Sequence, residues 1–129
     1  MIERKEEQGP GETGARFGMK VDVYAKSKMP DGEIVLKVYH GETTDFPQFS
    51  VCHRGRRDWM TVHNMSGLMV RGGYDSKQKA LDDLRRLVDE SELIKSAILP
   101  TELESRFCYE HAMPTVPEMI ESGIRVMLV

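Results

Sequence analysis

Two alternating segments separated by a strong turn signal constrain this chain more than any other feature. Apolar and polar side chains alternate through residues 17–26, and the same period of two returns in residues 33–40. Between them, residues 29–32 read Met-Pro-Asp-Gly, in which proline presets a turn dihedral and glycine accepts a positive φ. The pattern therefore predicts an antiparallel hairpin at the start of the fold.

Three shorter strand-like segments follow the hairpin. They are residues 48–53, 59–63 and 68–70. A charged connector, residues 54–58, separates the first two of them, and the Arg-Gly-Gly sequence at residues 71–73 is expected to end the third. The first half of the chain is therefore predicted to form an antiparallel sheet.

The second half of the chain changes to a helical period. Asp75 or Ser76 is expected to cap the first helix, and Gln78 would complete a capping box with Asp75. The apolar face of this helix consists of Ala80, Leu81, Leu84, Leu87 and Val88.

Further helices are predicted over residues 93–98, 101–108 and 115–123, because a capping box at Thr101 opens the second of them, Thr115-Val116-Pro117-Glu118 opens the third and Gly123 can end it. Residues 124–129 are apolar and rich in β-branched side chains, which predicts a terminal strand that returns to the sheet. The predicted fold class is α+β, with an antiparallel sheet of about five strands packed by C-terminal helices.

The 129-residue chain is long enough to bury its own core in one domain, expected over residues 17–129. Residues 1–16 combine charged residues with glycine and proline, which predicts a disordered segment. The chain has two cysteines, no apolar N-terminal run and no stretch as long as a membrane span. These features predict a cytoplasmic protein with reduced thiols and no membrane contact.

Charge is unevenly distributed along the chain. Residues 54–86 contain eight basic and four acidic side chains, whereas residues 87–129 contain three basic and eight acidic ones, within a net charge of −3. A basic region of this kind can bind phosphates or an acidic partner, although a solvated hairpin turn is the alternative interpretation. The predicted binding residues are Arg54, Arg56, Arg57, Arg71, Lys77 and Lys79.

The thiol and imidazole groups could supply a metal site or a nucleophile. Cys108 and His111 would lie one helical turn apart, and Cys52 or His53 with His63 could complete a tetrahedral zinc site. The spacing matches no zinc signature, and no oxyanion hole or nucleophile elbow accompanies the cysteines. The prediction is therefore no metal and no cofactor, with a small Cys/His enzyme kept as an alternative.

Acidic residues in the predicted loops are candidates for metal-assisted phosphoryl chemistry. They lack the spacing of a paired-carboxylate motif and are interpreted as solvated loop residues. The acids concerned are Glu42, Asp45, Asp58 and Asp75.

Residues 72–80, which read Gly-Gly-Tyr-Asp-Ser-Lys-Gln-Lys-Ala, resemble part of a double-stranded-RNA-binding domain. In that family, lysines at the start of the final helix contact phosphates across the groove. Ser76, Lys77 and Ala80 match the family pattern, whereas Gln78 and Leu81 stand where lysines are expected. The resemblance implies nucleic-acid binding through the helix start.

Residues 59–80 are also similar to the strand–turn–strand–helix unit of small accessory proteins carried by phages and mobile elements. This resemblance implies a protein that acts by binding a host protein complex, as an inhibitor of the anti-defence type. The leading hypothesis is therefore a non-enzymatic interaction module with a protein partner, and nucleic-acid binding through residues 54–86 is the alternative. Residues 124–129 could also pair with the sheet edge of a second copy, which would make a homo-oligomer.

Overall fold

A computed structural model describes residues 18–97, 108 and 113–129 of the chain. The described residues form the predicted α+β fold, with five antiparallel strands in the order β1-β2-β3-β4-β5 and a sixth strand beside β2. The strands are β1 (Lys20–Lys28), β2 (Ile34–Thr43), β3 (Phe49–Gly55), β4 (Asp58–His63), β5 (Met69–Tyr74) and β6 (Arg125–Leu128). The helices are α1 (Lys77–Glu90), α2 (Glu92–Ser96) and α3 (Val116–Glu121).

Two of the sequence predictions lie wholly or largely outside the described residues. One is the disordered segment over residues 1–16. The other is the helix over residues 101–108, of which only Cys108 is described, as a buried helical residue.

The first two strands form the predicted hairpin. Their register runs without a bulge from Lys20 opposite Glu42 to Lys28 opposite Ile34. Gly32 adopts a φ of 92° in the turn, a conformation that glycine reaches without steric cost. Local turn chemistry therefore places β1 and β2 side by side.

The predicted terminal strand returns to the sheet and pairs with β2 in parallel. β3 pairs with β2 only at residues 41–43 of β2. Residues 35–38, at the other end of the same edge of β2, pair with β6. The preceding helix α3 begins where predicted, and the structure adds a capping box between Thr115 and Glu118. Gly123, which has a φ of 92°, follows the end of this helix, and β6 begins two residues later at Arg125.

Two local predictions were wrong. β5 does not end at residues 71–73 but continues to Tyr74, because Gly72 and Gly73 fit the strand and Gly73 takes the positive φ of 81° near its end. The helix α1 is capped by Ser76, one of the two predicted cap residues, whose side chain accepts a hydrogen bond from the Lys79 N–H at 3.2 Å. Gln78 donates instead to Asp82, so the Asp75 capping box does not form.

The sheet has a helical face and a concave face. On the helical face, Phe49 packs with Leu84 of α1 and with Ala97 and Cys108. The concave face has no described helix over it, yet its side chains are buried against one another because the sheet curls. The Lys26 N–H donates to the Gly67 carbonyl at 2.7 Å and so joins the outer edge of β1 to the turn after β4. The buried residues of the concave face are Val23, Ala25, Tyr39, Cys52, Met60 and Val62.

Candidate functional site

The sheet separates the six predicted binding residues. Arg54 lies on the concave face, where it lines a cavity together with Tyr39 and Met60. Arg71 lies on the helical face, because it stands opposite Thr61 and its guanidinium reaches Asp83 of α1. The predicted basic region is therefore not one continuous surface.

Four of the six residues already pair with acids. Exposed ion pairs of this kind contribute little stability, but a partner must compete with them for the cation. The pairs and their N–O distances are Arg54 with Asp58 at 3.0 Å, Arg71 with Asp83 at 3.5 Å, Lys77 with Glu42 at 3.0 Å and Lys79 with Asp75 at 3.3 Å. Asp45, the fourth of the acidic residues in the predicted loops, pairs with Arg85.

On the helical face, several side chains contact the carboxylate of Asp83. The Tyr74 hydroxyl donates to the Asp83 carboxylate, which Arg86 and Arg71 also contact. The Tyr74 hydrogen bond, ahead of the arginines, lowers the pKa of Asp83, so this carboxylate stays charged. Arg71 therefore faces an anion of its own chain, which weakens it as a contact for phosphate.

Arg56 and Arg57 differ from the other four residues. Both are exposed in the tight turn between β3 and β4, and neither forms an ion pair with any residue that the structure describes. Arg57 adopts a φ of 59° and is the one described residue other than glycine with a positive φ. An L-residue held in this region costs on the order of 1–3 kcal/mol, and such strain is concentrated at functional sites.

A second cationic region occupies the cavity of about 240 Å³ on the concave face. Lys37 and Tyr39 come from β2, and Arg54 comes from the end of β3. Burial raises the pKa of the Tyr39 phenol, and the nearby Arg54 guanidinium opposes this shift only in part. The phenol is therefore a neutral hydrogen-bond donor at physiological pH. The remaining lining residues are Ala25, Lys26, Ser27, Lys28, Met60 and Met69.

Sequence reasoning missed Lys37 as a site residue. The available signal was its position between Val35 and Tyr39 on one face of β2, where a lysine interrupts two residues that are both buried. That signal becomes specific only when the curl of the sheet brings β3 and its Arg54 to the same cavity.

The thiol and imidazole groups do not come together. Cys52 stands opposite Met60 on the concave face, whereas His63 stands opposite Phe49 on the helical face, so the two cannot bind one ion. Cys108 packs on the helical side, and His111 lies outside the described residues. In the described ranges no three His, Cys, Asp or Glu side chains are grouped as metal ligands would be.

The same geometry argues against a Cys/His nucleophile pair. Burial raises the pKa of Cys52 to about 12, which keeps the thiol protonated and unreactive. His63 is also buried, its Nδ1 lies 2.8 Å from the Ser66 hydroxyl, and desolvation lowers its pKa. His53 is exposed and packs its ring on Trp59 at 4.8 Å between centroids. No cleft gathers Cys52, His53 and His63.

None of the helices in the described part of the chain has the length and apolar character needed to cross a membrane. No protein-family model, curated protein or solved structure matches the chain.

Proposed function

We propose that this protein is a non-enzymatic binding module that contacts an acidic surface of a protein partner through Arg56 and Arg57. The observation that carries the proposal is the strained backbone of Arg57 in a turn whose two arginines have no acid partner among the described residues. Glycine or asparagine is the usual residue at positive φ in a turn. An arginine at this position is explained by a contact that needs its guanidinium.

The layout of charge favours a protein partner over a nucleic-acid duplex. A duplex-binding surface presents several cations to successive phosphates, and each contact adds to the affinity. Here Arg54 and Arg71 lie on opposite faces, and Lys77 and Lys79 already pair with acids. A two-residue arginine turn instead suits a carboxylate cluster, because each guanidinium can form two parallel hydrogen bonds with a carboxylate. We extend the proposal to an inhibitor or accessory protein that binds a host complex, as the resemblance to small phage proteins implies.

Charge reversal in the turn is expected to abolish partner binding. Arginines at interface centres contribute about 2 kcal/mol or more each, so Arg56→Glu with Arg57→Glu should weaken binding by a factor of about 1000. The measurement is a pull-down from host lysate with nuclease treatment, identification of the captured protein and titration of that protein in purified form.

The pair Lys20→Glu with Lys28→Glu is the matched control, since it makes the same charge change on two exposed residues of β1 that, like the two arginines, form no ion pair with a described residue. Retention of the partner by the control and its loss in the turn variant would support the proposal. Equal binding by both variants would contradict it. Capture that depends on nucleic acid would indicate the alternative function, with a steep decrease of affinity in salt.

Replacing Arg57 with glycine is expected to stabilise the protein, because it relieves the backbone strain in the turn, and to remove the proposed contact of the Arg57 guanidinium with the partner. Arg57→Gly should raise the free energy of unfolding by about 1 kcal/mol, because glycine adopts positive φ without the steric cost that arginine has there. Urea denaturation measures this change. Arg56→Gly is the control, since Arg56 has no positive φ and glycine there should not stabilise the fold. An Arg57→Gly variant no more stable than the parent would show that the turn is not strained.

A further inference from the structure

We propose that the cavity on the concave face binds a phosphate group through Arg54, Lys37 and Tyr39. This inference goes beyond the proposed function, because it concerns a small anion and uses none of the residues of the arginine turn. It rests on the composition of the cavity, on the way Arg54 is held and on the absence of a described acid in the cavity wall.

The three donors come to one cavity from two strands. Lys37 and Tyr39 are two residues apart on β2 and therefore point to the same side of the sheet. Lys37 stands opposite Ala25 and Tyr39 stands opposite Val23, both of which belong to the buried concave face. Arg54 approaches from β3 on the other side of the cavity.

Arg54 is positioned by two features of the sheet. A Cβ at Gly72 would lie 2.9 Å from its Nη2 atom, so the glycine leaves the space that the guanidinium occupies. Asp58 accepts a hydrogen bond from the same Nη2 at 3.0 Å, which orients the planar group. A guanidinium has five N–H donors, so an anion would share Arg54 with Asp58 and use the N–H groups that this ion pair leaves unbonded.

Charge and size both favour a small anion. Lys37 and Arg54 are the two lining residues whose cationic side chains face the cavity, and none of the nine lining residues is acidic. Lys37 forms no ion pair with a described residue, so its charge is not neutralised within the described chain. The volume of about 240 Å³ lies below the roughly 300–1,000 Å³ of sites for drug-sized ligands, but it can hold a phosphate group.

The donor set favours phosphate over carboxylate. A guanidinium, an ammonium and a phenol can each donate to a different oxygen of a tetrahedral group, whereas a carboxylate presents only two oxygens in one plane. Because the Tyr39 phenol is neutral, it can donate a hydrogen bond to the ligand without requiring more negative charge on that ligand. The ligand class is therefore inorganic phosphate or the phosphate monoester of a small molecule.

The test is a titration of the isotope-labelled full chain with inorganic phosphate, followed by amide NMR at constant pH and ionic strength. We expect saturable shifts confined to residues 25–28, 37–39 and 54, and no such shifts when chloride replaces phosphate. Parallel titrations with phosphoserine and with adenosine monophosphate distinguish the source of the group, since the natural source should bind more tightly than inorganic phosphate. Shifts that never saturate, or that chloride reproduces, would overturn the proposal.

Substitutions in the cavity give a second, independent readout. Lys37→Gln and Arg54→Gln should each weaken phosphate binding by about tenfold or more, since a charge-assisted hydrogen bond is lost. Arg56→Gln is the matched control and should leave phosphate affinity unchanged, which also separates this site from the arginine turn. The dispersed amide spectrum of each variant reports whether it is folded. Folded cavity variants that bind phosphate as tightly as the parent would refute the assignment.

Discussion

Replacing Gly41 with alanine is expected to destabilise the protein by about 3 kcal/mol or more. A Cβ at this position would lie 2.5 Å from Val23 Cγ2 and 2.6 Å from the Val51 carbonyl oxygen. The second contact is with backbone in the middle of the sheet, so it cannot be relieved by a side-chain rotation, and overpacking of this kind costs about 1–3 kcal/mol or more. Urea denaturation of parent and variant measures the difference in the free energy of unfolding.

Gly55→Ala is the control for this prediction. Gly55 has no positive φ, and a Cβ there would meet no atom within 4 Å, so the same added methyl should change stability only slightly. Equal stability of the two variants would mean that the close approach of β1, β2 and β3 at Gly41 does not determine the curl of the sheet. A Gly41→Ala variant that folds but binds no phosphate would connect this curl to the cavity on the concave face.

Truncating Phe49 is the second large expected effect. Its side chain is 1% exposed and packs with Leu84, Ala97 and Cys108 on the helical face. Phe49→Ala should therefore lower the free energy of unfolding by about 3–5 kcal/mol, since the lost transfer energy adds to the cost of the cavity left behind. Because small domains have a total stability of about 5–15 kcal/mol, the midpoint of thermal unfolding should also decrease strongly.

Leu128→Ala provides the comparison for Phe49. Leu128 is also a large apolar residue of a strand, but it is 86% exposed, so its truncation removes little buried surface. A loss of stability from Leu128→Ala as large as that from Phe49→Ala would show that β6 is covered in solution. Pairing of residues 124–129 with a second copy would have this effect, and analytical ultracentrifugation would detect it.

The parts of the fold that depend on neighbouring residues were predictable. The hairpin turn at residues 29–32, the Ser76 cap and the start of α3 at Thr115 each rely on side chains within a few positions of one another. The alternation in β1 and β2 also located the strands, although both faces of β2 proved to be buried. The strand β5 was predicted too short, because the two glycines that usually mark a turn serve here to admit Arg54 and to end the strand.

The predicted binding residues show the limit of such reasoning. These residues are close together in the sequence. In the structure they lie on two faces of the sheet, because side chains alternate along the strands and because α1 packs on one face. Lys77 pairs with Glu42, which is 35 positions away, and no local pattern indicates that contact. The arginine turn remained exposed because it lies at the end of a hairpin, beyond the reach of acids on other elements.

By itself, the sequence determined the element types, the hairpin and the place of the terminal strand, because periodicity and turn chemistry act over a few residues. Only the tertiary structure decided that β6 lies parallel to β2, an arrangement accompanied by a contact between Glu33 and Arg125 across 92 positions. It also decided that Cys52 and His63 are kept apart and that Lys37 and Arg54 share a cavity. The reason is that the curl of the sheet and the pairing of distant strands arise from packing of the whole core, which no short segment encodes.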